Sequence, residues 1–126
     1  MALEIIHRET RSLELNGHKI EAEIVVRYAF DDESVDGSFD FGDEAENAAY
    51  LAKFASGELY SLFVAVDALA LGEQGRDSLG CCHVNSATAE KELLETVADH
   101  GMIEQACTDL IERIQGKATL LSRFAV

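Results

Sequence analysis

The sequence predicts an α+β fold, an antiparallel sheet of about five strands in the order β-β-β-α-β-β-α-α with the helices packed on one face. Apolar and polar side chains alternate between Ile20 and Phe30, which is the period of a half-buried strand. Between Met102 and Ile114 the apolar residues recur every three or four positions, as on the buried stripe of a helix. The length of 126 residues is that of one domain, which we expect to span residues 1–126.

The first two strands are predicted to form a tight hairpin around Asn16-Gly17. This dipeptide favours a type I′ turn, because that turn requires positive φ at both central residues. A two-residue turn fixes the register, and the predicted facing pairs are Leu13–Ile20, Glu14–Lys19, Ile5–Tyr28 and Leu3–Phe30. Arg11 and His7 then fall on the apolar face, so a bulge or a break is predicted near residues 8 to 11.

A third short strand is predicted at Val35–Phe41, where three apolar residues fall on one side. A helix should follow it, because Asp43 and Glu46 have the spacing of a capping box. Gly57 stands where this first helix is expected to end.

The segment from residue 58 to residue 71 fits a helix and a strand almost equally well. A strand is favoured, since the segment follows a helix stop and leads into a glycine-containing turn predicted at residues 72–77. The apolar run Leu79–Val84 would complete a second hairpin.

Two helices are predicted in the C-terminal part of the chain. Ser86 or Thr88 should cap the first, which ends at His100-Gly101. The second should run from Met102 to Gly116, and the apolar tail at residues 117–126 should dock as a strand or a short helix.

The composition limits the classes of partner. The net charge of −14 repels nucleic acids and anionic membranes and attracts basic proteins and cations. Direct binding to nucleic acid or to a membrane is therefore not expected. Three cysteines are an odd count, which fits a reducing cytoplasm better than a disulfide framework. The apolar stripe of the last helix is compatible with either a core contact or a homodimer.

The most distinctive segment is an acidic block at residues 31–46. It contains eight acids, and no Lys or Arg occurs between Arg27 and Lys53. Carboxylates held on a rigid frame can imitate the phosphates of a nucleic acid. The sequence therefore predicts a non-catalytic binding protein. The most specific form of this prediction is a phage- or plasmid-type inhibitor that mimics nucleic acid and occludes a basic nucleic-acid-binding complex. The predicted partner-binding residues are Asp31, Asp32, Glu33, Asp36, Asp40, Glu44 and Glu46.

The same block allows an alternative function, the binding of Ca²⁺ or Mg²⁺. Counted from Asp32, six residues occupy the ligand positions of a calcium loop, and Gly37 falls where that loop turns sharply. The predicted ligands are Asp32, Ser34, Asp36, Ser38, Asp40 and Asp43. Over these twelve residues the segment resembles an EF-hand loop, with Asp43 in place of the usual bidentate Glu.

No catalytic motif stands out, and an interaction domain without a ligand is the remaining alternative. Cys81, Cys82 and His83 lack the spacing of a zinc site, because adjacent residues of a strand point to opposite faces. We therefore expect no enzyme activity and no resident cofactor, and the exposed acids are expected to form a solvated surface.

Overall fold

The computed structural model describes residues 4–30 and 43–124, with side chains described as far as residue 118. The elements are β1 (Glu4–Leu15), β2 (His18–Phe30), α1 (Glu44–Ala55), β3 (Leu59–Ala70), β4 (Glu73–Asn85), α2 (Ala89–Asp99) and α3 (Met102–Phe124), with a 3₁₀ turn at Ser86–Thr88. The described strands form one antiparallel sheet of four strands in the order β1-β2-β3-β4. The α+β prediction is confirmed, and the predicted strand at Val35–Phe41 lies outside the described residues.

The first hairpin has the predicted turn and the predicted register next to it. Asn16 and Gly17 both have positive φ, and Leu13 faces Ile20 while Glu14 faces Lys19. The register shifts between Ile5 and His7, so the predicted bulge position near residues 8 to 11 was wrong. Because of the shift Tyr28 faces Glu4 rather than Ile5, and the predicted partner of Phe30 lies outside the described residues.

The segment at residues 58–71 is a strand, as predicted, but its turn is shorter than predicted. The chain reverses at Leu71 and Gly72, both with positive φ, and β4 begins at Glu73. The predicted loop at residues 72–77 was therefore wrong. Tertiary contacts override the local turn signal here, because Gly75 packs against α3 and Arg76 pairs with Asp67 of β3.

Helix α1 begins and ends as the sequence predicted. The Asp43 carboxylate accepts a hydrogen bond of 2.8 Å from the Ala45 amide, which satisfies a free donor of the first turn. At the other end Gly57 has φ +81°, which favours glycine because a Cβ is strained there.

Helices α2 and α3 cover one face of the sheet, while α1 contacts the other. The core is a cluster of apolar side chains from both layers: Ala22, Ile24, Val26, Leu62, Val64, Val66, Ala68, Cys82, Val84, Leu93, Val97, Met102, Ala106, Cys107, Leu110 and Ile114. Since Cys82 and Val84 point into this core, His83 between them points to the opposite face. The α1 residues Tyr50 and Phe54 contact His83 on this opposite face.

Helix α3 continues past Gly116 to Phe124, so the predicted stop was wrong. A single glycine without a following proline weakens a helix by about 1 kcal/mol, which does not end it. An ion pair of 3.1 Å joins Lys117 Nζ to Glu73 Oε1 and holds the helix beside β4.

Two glycine substitutions should have opposite effects on stability. A Cβ on Gly75 would overlap the Ala106 carbonyl oxygen and the Leu110 backbone, whereas a Cβ on Gly116 would meet open space. Gly75→Ala should therefore destabilise the fold by about 1–3 kcal/mol or more through overpacking. Gly116→Ala should stabilise it by up to about 1 kcal/mol. Urea denaturation of both variants checks this, and an unchanged midpoint for Gly75→Ala would contradict the close packing of α3 on β4.

Candidate interaction surfaces

The described part of the acidic block forms the start of α1. Glu44 and Glu46 lie in the first helical turn, where negative charge is favourable next to the free amides of the helix. Both residues are exposed, and no side chain of α1 is fully buried. The other predicted partner-binding residues, Asp31, Asp32, Glu33, Asp36 and Asp40, lie outside the described residues, so the block as a partner-binding surface stays a prediction.

The predicted metal site is described only at its last ligand. Asp43 uses one carboxylate oxygen as the cap of α1. Asp32, Ser34, Asp36, Ser38 and Asp40 lie outside the described residues. Within the described ranges 4–30 and 43–124, no group of three or more His, Cys, Asp or Glu side chains could hold a metal ion. The loop at residues 32–43 therefore stays a prediction.

The three cysteines are separate, and one histidine joins α1 to the sheet. Cys81 is exposed, whereas Cys82 and Cys107 are buried, and all three are free thiols. Burial raises the pKa of the Cys107 thiol, which disfavours the reactive thiolate. The Tyr50 hydroxyl lies 2.9 Å from His83 Nδ1, and the Phe54 ring packs edge-on against the same imidazole. This contact anchors α1 to the sheet.

The cationic side chains are largely neutralised within the molecule. Six of the ten Lys and Arg residues form ion pairs with described carboxylates: Arg8 with Glu23, Arg11 with Glu9 and Glu104, Arg76 with Asp67, Lys91 with Glu95, Arg113 with Asp109, and Lys117 with Glu73. Many carboxylates remain exposed beyond these pairs. The outward field of the protein is therefore acidic, with little free positive charge in the described part of the chain.

One of these pairs is built around a buried carboxylate. The Asp67 side chain is only 3% exposed, and it accepts hydrogen bonds from Arg76 Nε at 2.6 Å, Arg76 Nη2 at 3.1 Å and Gln74 Nε2 at 2.8 Å. A buried charge is stable only when it is paired and hydrogen-bonded, as this one is. The Asp67 carboxylate raises the pKa of Arg76 in return. We interpret this pair as a structural link between β3 and β4.

Two separate pockets lie between β1 and the helical layer, and we refer to the surface that contains both as the groove. Its first pocket, of about 310 Å³, has an apolar wall from α2 and α3 and is lined on the strand side by His7 and Arg11. A second pocket, of about 260 Å³, lies further along α3 and is lined by Leu13, Cys107, Ile111 and their neighbours. The groove exists because α3 packs mainly on β4 and β3, so the apolar face of β1 is incompletely covered.

Charged side chains border this groove. Arg11 Nε lies 2.9 Å from Glu9 Oε2, and its Nη1 lies 3.4 Å from Glu104 Oε1, so Arg11 connects β1 to α3. His7 Nε2 contacts the other oxygen of Glu9 at 3.0 Å. Hydrogen bonds from Arg11 and His7 lower the pKa of Glu9.

One feature of the sequence relates to the groove. His7 and Arg11 fall on an otherwise apolar face, from which a bulge or a break near residues 8 to 11 is predicted. In the structure both residues lie in β1, with the register shift directly before His7, and both line the first pocket at the edge of the helical layer. Asp67 within an apolar strand was the corresponding signal for a buried ion pair.

Family models, curated proteins and solved structures were compared with the chain, and none of the three comparisons gives a match. In the described part of the chain, none of the helices combines the length and the hydropathy that crossing a membrane requires.

Replacement of Arg76 should destabilise the fold, because the buried Asp67 carboxylate would lose its ion-pair partner. Arg76→Met leaves a buried carboxylate that keeps, among the described residues, the side-chain donor Gln74, and we expect a loss of about 2–3 kcal/mol in the free energy of unfolding. This loss of stability is at or below the usual cost of breaking a buried ion pair, because only Asp67 is buried while the Arg76 side chain is 44% exposed. The double variant Asp67→Leu with Arg76→Met should recover much of the loss. Urea denaturation of the two variants checks this, and equal stability of the single and double variants would contradict it.

Protonation of Glu9 should contribute to acid unfolding. Because its pKa in the folded protein is lower than the ordinary value of 4.5, the stability it contributes is present above pH 4.5 and is lost as the pH falls through the lowered pKa. Glu9→Gln should therefore flatten the stability profile below pH 4.5. Thermal melts between pH 3 and pH 7 measure this, with the exposed Glu58→Gln as control. A Glu9→Gln profile as steep as that of the wild type would contradict the role of the Arg11 and His7 contacts.

Proposed function

We propose that this protein is a non-catalytic binding protein that recognises a basic protein through its acidic surface. In the sharpest version it is a nucleic-acid mimic of the phage or plasmid type, which occupies the basic channel of a nucleic-acid-binding complex. The observation that carries the proposal is the asymmetry of surface charge. Six of the ten cations are used in internal ion pairs, and the net charge is −14.

The position of the acids supports this proposal. Glu44 and Glu46 are exposed at the start of a helix that is anchored to the sheet through His83. A second group is carried by α2, where Glu90, Glu95 and Asp99 are exposed. Carboxylates on fixed helices lose little conformational freedom on binding and keep a defined spacing, which favours recognition of a matching array of Lys and Arg.

Binding to such a partner should be electrostatic and should depend on the acidic block. The protein would be immobilised, exposed to nuclease-treated lysate, and the captured basic protein purified for titration. Raising the salt from about 50 mM to about 500 mM should weaken binding strongly, because surface charges are screened over a shorter distance. Duplex DNA or RNA should compete for the captured protein if the mimic version is correct.

Two matched variants locate the surface. Neutralising Asp36, Asp40, Glu44 and Glu46 as Asn or Gln should weaken binding about tenfold or more. The control neutralises four exposed acids outside α1 and α2, Glu4, Glu21, Glu23 and Glu58, and changes the net charge by the same amount. We expect a loss of about threefold or less for the control. Binding that is unchanged in the first variant, or weakened equally in both, would contradict the assignment of the block.

A further inference from the structure

The groove between β1 and the α2–α3 layer has the chemistry of a protein-docking site. Its floor is apolar and partly exposed, with Leu13 on the strand and Leu94, Ile103 and Ile111 on the helices. A partly exposed apolar groove with two pockets along it is the type of surface that binds an amphipathic helix.

The charges on the rim select a basic occupant. Glu104 and Glu112 lie on the α3 side, and Glu14 borders the second pocket on the strand side. Glu9 lies beside them on β1, and Arg11 is a cation at the groove that is already paired with two carboxylates. The described rim is therefore acidic, and an acidic helix would be repelled while Lys and Arg side chains would be attracted.

The distance between the two pockets defines the spacing of the anchors. Ile103 lines the first pocket and Ile111 the second, which places the pockets eight residues apart along α3. At 1.5 Å per residue this is about 12 Å. A helix lying alongside α3 would reach both pockets with apolar side chains seven or eight residues apart, which fall on one face of that helix.

We propose that this groove docks a basic amphipathic helix of a partner protein, with two apolar anchors seven or eight residues apart. The inference rests on the proposed function for the basic character of the partner, but it assigns a second surface that does not include the acidic block at residues 31–46. It also explains why His7 and Arg11 lie on the face of β1 that points toward the helical layer, since the groove leaves their polar groups accessible.

The test uses a synthetic peptide of 18 residues composed of Leu, Lys and Ala, with two leucines seven residues apart on one helical face. A control peptide has the same composition and charge, but its leucines lie on opposite faces. Calorimetry measures the affinity and amide chemical shifts map the contact. The first peptide should perturb residues 7–15 and 94–112 and bind about tenfold or more tightly than the control peptide.

Matched charge variants distinguish binding at the rim of the groove from the general attraction of a basic peptide to an acidic protein. Glu104→Lys with Glu112→Lys reverses two exposed rim charges, and the control reverses Glu58 and Glu90, which are exposed outside the groove. The rim variant should lose about tenfold in affinity for the peptide and the control about threefold or less. Equal losses, equal affinity of the two peptides, or shifts that map outside the groove would overturn the proposal.

A second copy of the chain is the other molecule that could occupy the groove. Sedimentation velocity of the free protein tests this by measuring its oligomeric state. A monomer across the concentration range supports the proposal, whereas a dimer with concentration-dependent shifts in the groove would overturn it. The proposed function fails separately, because it depends on the variant of Asp36, Asp40, Glu44 and Glu46. If that variant captures less of the basic partner but the peptide makes no contact with the groove, the proposed function stands and the docking proposal is wrong.

Discussion

The close approach of α3 to β4 at Gly75 is the constraint on which much of the structure depends. The helix backbone at Ala106 and Leu110 comes so near to this strand that only glycine fits. Two further contacts hold the helix in the same place, the Asp109 carboxylate that accepts a hydrogen bond of 3.0 Å from the Arg76 amide and the ion pair between Lys117 and Glu73. These contacts fix α3 over the β3–β4 side of the sheet.

The position of α3 has a direct consequence for the other side of the sheet. The core between the sheet and the helices is dense along β2, β3 and β4, which contribute the fully buried apolar side chains of the described sheet. At β1 the apolar side chains are only partly buried, and the groove opens there. The same packing that stabilises the core therefore creates the surface to which we assign a docking role, and charged residues of β1 border this surface.

Much of the fold could be predicted from local patterns, because those patterns report burial. The alternation in β2, the Asn16-Gly17 turn and the cap at Asp43 depend on neighbouring residues, and each was predicted correctly. The wrong predictions concern segments whose secondary structure depends on residues that are distant in the sequence. The strand at residues 73–78 depends on α3 and on Asp67, and α3 continues through Gly116 because it has sheet contacts beyond it.

The candidate surfaces were harder to predict from the sequence, because they too depend on residues that are distant in the chain. Acidity is visible in the composition, but whether an acid is exposed, capped or paired depends on the fold. The cap at Asp43 could be predicted from its spacing to Glu46, whereas the pairing of buried Asp67 with Arg76 and the exposure of Glu44 depend on the fold. The groove brings β1 next to α3, which are separated by more than eighty residues in the chain, so the polar residues His7 and Arg11 on the apolar face of β1 do not by themselves identify the helix that faces them.

The most direct test of this account is the exposure of methyl groups along the groove in solution. A soluble paramagnetic agent broadens the methyl signals that it can approach, and the free protein is sufficient for the measurement. We expect strong broadening for Leu13, Ile103 and Ile111, which are partly buried, and weak broadening for Leu110, which is fully buried. Equal protection of all four side chains would mean that the groove is closed, and it would contradict the claim that the packing of α3 leaves β1 open.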